Sequence, residues 1–174
     1  MSESTMSAST IGRQIINKIP DVQSRPLEEN KIELIVPGEK IREVITMVDE
    51  LLDDALPESV FGIDLENDQY NLIYIFWSWS NRILLQIRVA LEGERPEIDS
   101  VCDIFPGLEW HEREVREMFG IEFRNHPDPR LFLLPDELAG AYPMRKRFKP
   151  EQSREDDTGL STPASRTKEG GDKE

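Results

Sequence analysis

Proline placement constrains this chain more than any other feature. Five of its twelve prolines fall between Pro127 and Pro150. Each lacks a backbone N–H and has a fixed φ, so the stretch can be neither helix nor sheet interior. Immediately before it, Leu108 to Phe119 reads as a helix dense in charge. Leu108, Val115, Met118 and Phe119 form its buried stripe, and Gly120 stands where a left-handed C-terminal cap is expected. The proline-rich segment nevertheless keeps Leu131, Phe132, Leu133, Leu134, Tyr142 and Phe148. A segment with few backbone partners and a row of large apolar side chains must be covered by something.

The chain ahead of this stretch reads as one α+β domain. Residues 1–9 are small and polar and are expected to be disordered. Thr10 is a plausible N-cap for a helix carrying Ile11, Ile15, Ile16 and Ile19, which Pro20 ends. Pro26 to Asn30 is a connector, and Lys31–Val36 has the composition of a strand. Ile41, Val44, Ile45, Val48, Leu51 and Leu52 follow the i, i+3, i+4, i+7 rule of an amphipathic helix. Three strands follow, at Val60–Leu65, Tyr70–Trp77 and Arg82–Ala90. The middle one is so apolar that it is expected to be central and covered on both faces. Ile98, Val101, Cys102 and Phe105 mark a short helix ended by Pro106. The fold expected is a four-stranded mixed sheet with an antiparallel meander and helices packed on it. It divides into a domain over residues 10–123, an extended arm over 124–150 and a disordered tail over 151–174.

Composition removes whole classes of function. A formal charge of −14 argues against nucleic acid and against direct docking on anionic lipid. One cysteine, Cys102, excludes an internal disulfide framework and any iron–sulfur or zinc site built on cysteine pairs. The apolar run Leu72–Trp77 is far below the roughly 20 residues that span a bilayer. The first residues lack a basic start followed by an apolar run, so no secretory signal is expected.

Motifs for chemistry are missing. His111-Glu112 would open a zinc-protease helix only with a histidine at position 115, which is Val115. There is no dinucleotide or phosphate-loop glycine pattern, and nothing marks a nucleophile elbow. Neither catalytic nor cofactor-binding nor metal residues are assigned. An enzyme using Glu112, Glu114 or His126 as acid–base groups remains the alternative from another class.

Charge leaves two readings of the helix and arm open. Glu109–Arg113, Glu112–Arg116 and Arg113–Glu117 are spaced as i, i+4 pairs, which usually means a solvated, salt-bridged face. Arg124 to Pro150, however, holds six Lys/Arg against three acids, a +3 segment in an acidic protein. Such an arm either docks on a partner or folds back on its own sheet. On the first reading, reversing the charges of Arg145 and Lys146 is expected to weaken assembly and leave the monomer's fold nearly intact.

The order E-R-E-V-R-E-M-F-G-I-E-F, then H-P-D-P-R, L-L-P-D and Y-P-M-R-K resembles the signature of the C, or 30 kDa, subunit of complex I. The resemblance implies a non-catalytic scaffold subunit on the peripheral arm of a membrane-attached oxidoreductase. It would lie on the cytoplasmic face and reach the membrane only through partner subunits. Those partners would be a hydrogenase-like large subunit and a small iron–sulfur subunit. The chain itself would carry no cofactor; iron–sulfur clusters, and nickel–iron in a hydrogenase, would belong to the partners. Interface or helix-anchoring roles are implied for Glu112, Arg113, Glu114, His126, Asp128, Arg130, Pro143, Arg145 and Lys146. Asp-Pro-Arg and Tyr-Pro-x-Arg lean toward the hydrogenase-type branch, with a donor:quinone oxidoreductase as the alternative and a free-standing soluble adaptor as a further one.

Overall fold

The computed structural model describes residues 6–150; the expected tail over 151–174 lies outside them. Helix α1, Ala8–Lys18, starts inside the stretch expected to be disordered. Its cap is Ser7 and not Thr10: the Ser7 hydroxyl accepts from the Thr10 N–H. Strand β1, Gln23–Glu28, follows and pairs antiparallel with β2, Lys31–Val36. Pro26 had suggested a connector here. The strand lies at the sheet edge, where a missing N–H is tolerated.

Helix α2 spans Ile41–Leu51 and buries Ile41, Val44, Ile45 and Val48 as its periodicity requires. Strands β3, Ala55–Asp64, β4, Gln69–Ser78, and β5, Ile83–Glu92, form the antiparallel meander. The β3–β4 turn places Glu66, Asn67 and Asp68 in the left-handed region. β2 joins the meander in parallel with β5, so the mixed sheet has five strands in the order β1–β2–β5–β4–β3.

One face of this sheet carries Ile32, Leu34, Val60, Leu72, Tyr74, Phe76, Leu85, Ile87 and Val89. These form a single core with Ile11 and Ile15 of α1 and Val44, Ile45 and Val48 of α2. β4 is interior, between β5 and the edge strand β3, while the central strand is β5; the helices lie on one face, so the outward Ile75 and Trp77 of β4 are only half-buried. On that outward face Glu33 is buried. It is held by Arg25 at 2.7 Å, Arg88 at 3.1 Å and the Gln86 amide at 2.8 Å.

The helix expected at Ile98–Phe105 does not form. Glu97–Asp99 is instead a short strand, β6, running parallel to β7, Glu122–Arg124. Ile98 and Phe123 are the inward residues of this pair. The chain between β6 and the next helix is turns and a 3-10 segment, Pro106–Leu108. Helix α3, Glu109–Phe119, packs over β3, with Val115 and Phe119 inward. Close contact there depends on Gly62: a Cβ on it would lie 2.7 Å from the Phe119 ring.

Gly120 caps α3 at φ 69°, ψ 28°. A Cβ at this position would stand 2.6 Å from an Arg145 guanidinium nitrogen and 2.7 Å from the Tyr142 ring. Backbone strain and overpacking therefore add. Gly120→Ala is expected to destabilise the protein by about 2 kcal/mol or more in denaturant titration. A change under about 0.5 kcal/mol would mean that the arm yields freely at this point.

Candidate functional site

The charged face of α3 does not lie in water. Arg113 donates from Nε to the Arg130 carbonyl at 3.1 Å and from its terminal nitrogen to the Leu131 carbonyl at 2.9 Å. Its guanidinium lies 4.9 Å from the Trp110 ring centre and 5.3 Å from that of Phe132. Glu117 accepts the backbone N–H groups of Phe132, Leu133 and Leu134 at 2.8–3.1 Å. Arg116 reaches Glu122 at 2.8 Å and the Pro129 carbonyl at 2.7 Å. Glu112, 0% exposed, accepts from the Ser100 hydroxyl at 2.6 Å, the Val101 N–H at 3.1 Å and the Cys102 thiol at 3.1 Å. Burial pushes the Glu112 carboxyl up, against the three donors that favour its charge. The i, i+4 pairs Glu109–Arg113, Glu112–Arg116 and Arg113–Glu117 are not ion pairs here. Arg113, Arg116 and Glu117 instead serve backbone groups that the proline-rich segment cannot pair by itself.

The distal half of the arm is fastened by Arg145, which is 4% exposed. It donates to the Phe119 carbonyl at 2.6 Å and the Glu94 carbonyl at 3.1 Å. Its guanidinium faces the Tyr142 and Tyr70 rings at 4.6 and 5.2 Å. Beside it the Lys146 N–H donates to Asp64 at 2.8 Å and its ammonium to Glu66 at 3.1 Å, while Arg147 pairs with Asp68 at 3.1 Å. The Met144 N–H donates to the Met118 carbonyl at 3.1 Å. At the near end, His126 Nδ1 accepts the Asp128 N–H at 3.1 Å, which leaves Nε2 to donate to the Glu109 carbonyl at 3.1 Å. Asp128 pairs with Arg130 at 2.7 Å. The Arg130 side chain outweighs desolvation and, with the Arg130 N–H and nearby Arg113, holds the Asp128 carboxyl well below the usual range.

The nine residues singled out from the sequence thus divide by burial. Glu112, Arg113 and Arg145 are buried within the chain; His126, Asp128 and Pro143 are half-buried; Glu114, Arg130 and Lys146 are exposed. Arg145 corrects the charge-reversal expectation, because a glutamate there would lose two carbonyl contacts and bury an unpaired charge. Sequence reasoning missed Glu117, which its spacing assigned to Arg113. The usable signal was the run of N–H groups from Phe132 to Leu134, which needed an acceptor. It also missed the approach of Cys102, on the loop after β6, to Glu112 and His126. Of the acid–base candidates Glu112 and His126 do meet, whereas Glu114 lines a separate groove.

What faces solvent is apolar. Trp110 and Glu114 are exposed on the outer side of α3, while Met118, expected in the buried stripe, packs partly against the core and marks the edge of that side. Trp110 packs on Phe132 with ring centres 4.6 Å apart, and next to Phe132 stands Leu133, half exposed. Toward the other end Met118 and Glu114 border a groove of about 410 Å³ completed by Phe61, Gly62 and Met144. Met144 is 58% and Phe61 41% exposed.

Comparison with known proteins gives this site a setting. The family model described as the 30 kDa subunit of the respiratory-chain NADH dehydrogenase matches residues 34–154. The chain belongs to that family. It is 32% identical over 146 residues to the C-type subunit of the F420H2 dehydrogenase of Methanosarcina mazei, covering 82% of this chain and 92% of that one. It is 37% identical over 92 residues to the C-type subunit of the NADH-quinone oxidoreductase of Chloroherpeton thalassium, covering 52% of this chain and 38% of that subunit. The chain therefore spans nearly the whole M. mazei relative and well under half of the C. thalassium one. Among solved structures, a subunit of a membrane-bound sulfane sulfur reductase, an archaeal respiratory membrane complex, superposes with a TM-score of 0.76 at 21% identity. The match covers 91% of this chain and 98% of that one. A trypsin-resistant fragment of Nqo5 superposes at 0.58, with 67% and 94% covered. The α+β fold is thus shared with both.

Two substitutions test how the arm is held. Glu117→Ala strips the acceptor from three N–H groups and should cost about 1–3 kcal/mol, with faster proteolytic cleavage around residues 131–134. Unchanged stability and cleavage would show that water replaces the carboxylate. Arg145→Ala should cost about 3 kcal/mol and Lys146→Ala under about 0.5, the second being exposed. Equal losses in thermal unfolding would contradict this division.

Proposed function

We propose that this chain is a non-catalytic assembly subunit of a complex I-related oxidoreductase attached to the membrane. It docks on a hydrogenase-like large subunit and on a small iron–sulfur subunit, which carry the electron-transfer centres. The observation that carries this reading is the outward apolar strip along α3 and the arm: Trp110, Phe132 and Leu133 at one end, Met118, Phe61 and Met144 at the other. Large apolar and aromatic side chains held rigidly at a surface are the usual anchors of a protein interface. Exposed Glu114, Arg130 and Lys146 lie beside it as its polar rim, while Glu112, Arg113 and Arg145 act from within by shaping the arm. His126, Asp128 and Pro143 support it from the half-buried layer.

The family and its relatives support membership of such a complex. No helix among the described residues is long and apolar enough to cross a membrane, which accords with attachment through partner subunits; the cytoplasmic face is part of the proposal. The hydrogenase-type branch is supported by the Asp-Pro-Arg and Tyr-Pro-x-Arg motifs. A second reading, a donor-oxidising dehydrogenase, is favoured by the near full-length match to the M. mazei protein.

Affinity purification of a tagged chain from gently solubilised membranes should recover both partner types, identified by mass spectrometry. Recovery of neither would overturn the proposal and favour a soluble adaptor. Replacing Leu133 and Met144 together by serine should lower that recovery at least tenfold, since buried interface anchors contribute about 2 kcal/mol or more each. The isolated variant should unfold within a degree or two of the parent.

A further inference from the structure

We propose that Cys102, Glu112 and His126 form a binding site for one divalent transition-metal ion, zinc by preference, that clamps the loop after β6 and the arm's first turn onto α3. The sequence scatters these residues over three elements. In the fold a thiol sulfur, a carboxylate oxygen and an imidazole nitrogen lie within 4.8 Å of one another. That is the mixed sulfur, nitrogen and oxygen donor set that borderline-soft cations take in preference to magnesium or calcium.

Three further features point to a cation. Glu112 is fully buried, and no Lys, Arg or His forms an ion pair with it among the described residues. A buried carboxylate without a counter-charge is costly, and a bound cation removes that cost. Tyr74, also fully buried, brings its hydroxyl toward the Glu112 carboxyl and beside the Cys102 thiol without a well-formed hydrogen bond. An oxygen donor beside the cluster and poorly satisfied is available as a fourth ligand or as a partner for a metal-bound water. Finally, one ring nitrogen of His126 donates to a backbone carbonyl, that of Glu109, as metal-ligating histidines do, and an ion at the other would take the place of the Asp128 N–H that it accepts.

Binding would displace the Cys102 proton to solvent and leave the thiolate as ligand, with no change of oxidation state. The ion's own charge would hold the thiolate in place of the proton. The ion would be structural, since protein surrounds it; this inference does not rest on the partner proposed above.

Cobalt(II) is the probe, because the chain has one cysteine and a thiolate–cobalt charge-transfer band reports on it alone. Titrating the purified, chelator-treated full chain should give that band at one equivalent, and zinc should bleach it. Zinc should also raise the thermal midpoint of the wild type. Cys102→Ala should abolish the band, and His126→Ala should weaken binding by about a hundredfold. X-ray absorption of the zinc-loaded wild type needs no substitution and should show one sulfur at about 2.3 Å with nitrogen and oxygen neighbours. Absence of the band, a shell without sulfur, or equal affinity in the wild type and His126→Ala would overturn the proposal.

Discussion

Backbone hydrogen-bonding demand, more than side-chain attraction, organises this molecule. From Asn125 to Pro150 the chain has no sheet ladder to join and only one helical turn, Asp136–Leu138. Its N–H and carbonyl groups must find partners elsewhere or stay wet. Helix α3 supplies them: Glu117 takes three successive N–H groups, and Arg113 and Arg116 give to three carbonyls. Arg145 answers in the other direction by bonding the last carbonyl of α3, that of Phe119. Helix and arm therefore complete each other, and neither surface exists without the other.

This explains why charge could be read correctly from the sequence and its placement could not. An i, i+4 array of Glu and Arg is the mark of a solvated face when nothing competes for it. Here the competitors are main-chain groups of a distant segment, and a desolvated charge bonded to two or three of them outdoes a surface ion pair. No local pattern reveals such partners, because they lie 15 to 18 residues away for Glu117 and Arg113.

Where the determinants were local, the sequence was legible. Helix α2, the meander and the Gly120 cap follow from apolar periodicity and from the one residue that enters the left-handed region freely. Strand β1 was hidden by Pro26, whose exclusion applies to interior strands only. β6 was mistaken for a helix because Ile98, Val101, Cys102 and Phe105 have helical spacing. Ile98 is buried by pairing with β7, while Val101, Cys102 and Phe105 are buried by turns beneath α3. The cluster of Cys102, Glu112 and His126 depends on that strand and on α3 together, so spacing could not show it.

Charge counting left open whether the basic arm docks on a partner or folds back on its own sheet. The structure places most of the arm's cations inside the chain: Arg124 with Asp99, Arg130 with Asp128, Lys146 with Glu66 and Arg147 with Asp68, and Arg145 on two carbonyls. The +3 of the arm is thus largely answered by the acidic body beneath it. What remains unanswered is apolar area at Trp110, Phe132, Leu133, Phe61 and Met144. A surface of that kind gains affinity by desolvation and shape, and its charges set orientation and encounter rate. Raised salt should therefore slow the arm's encounter with a partner more than it loosens the assembled complex.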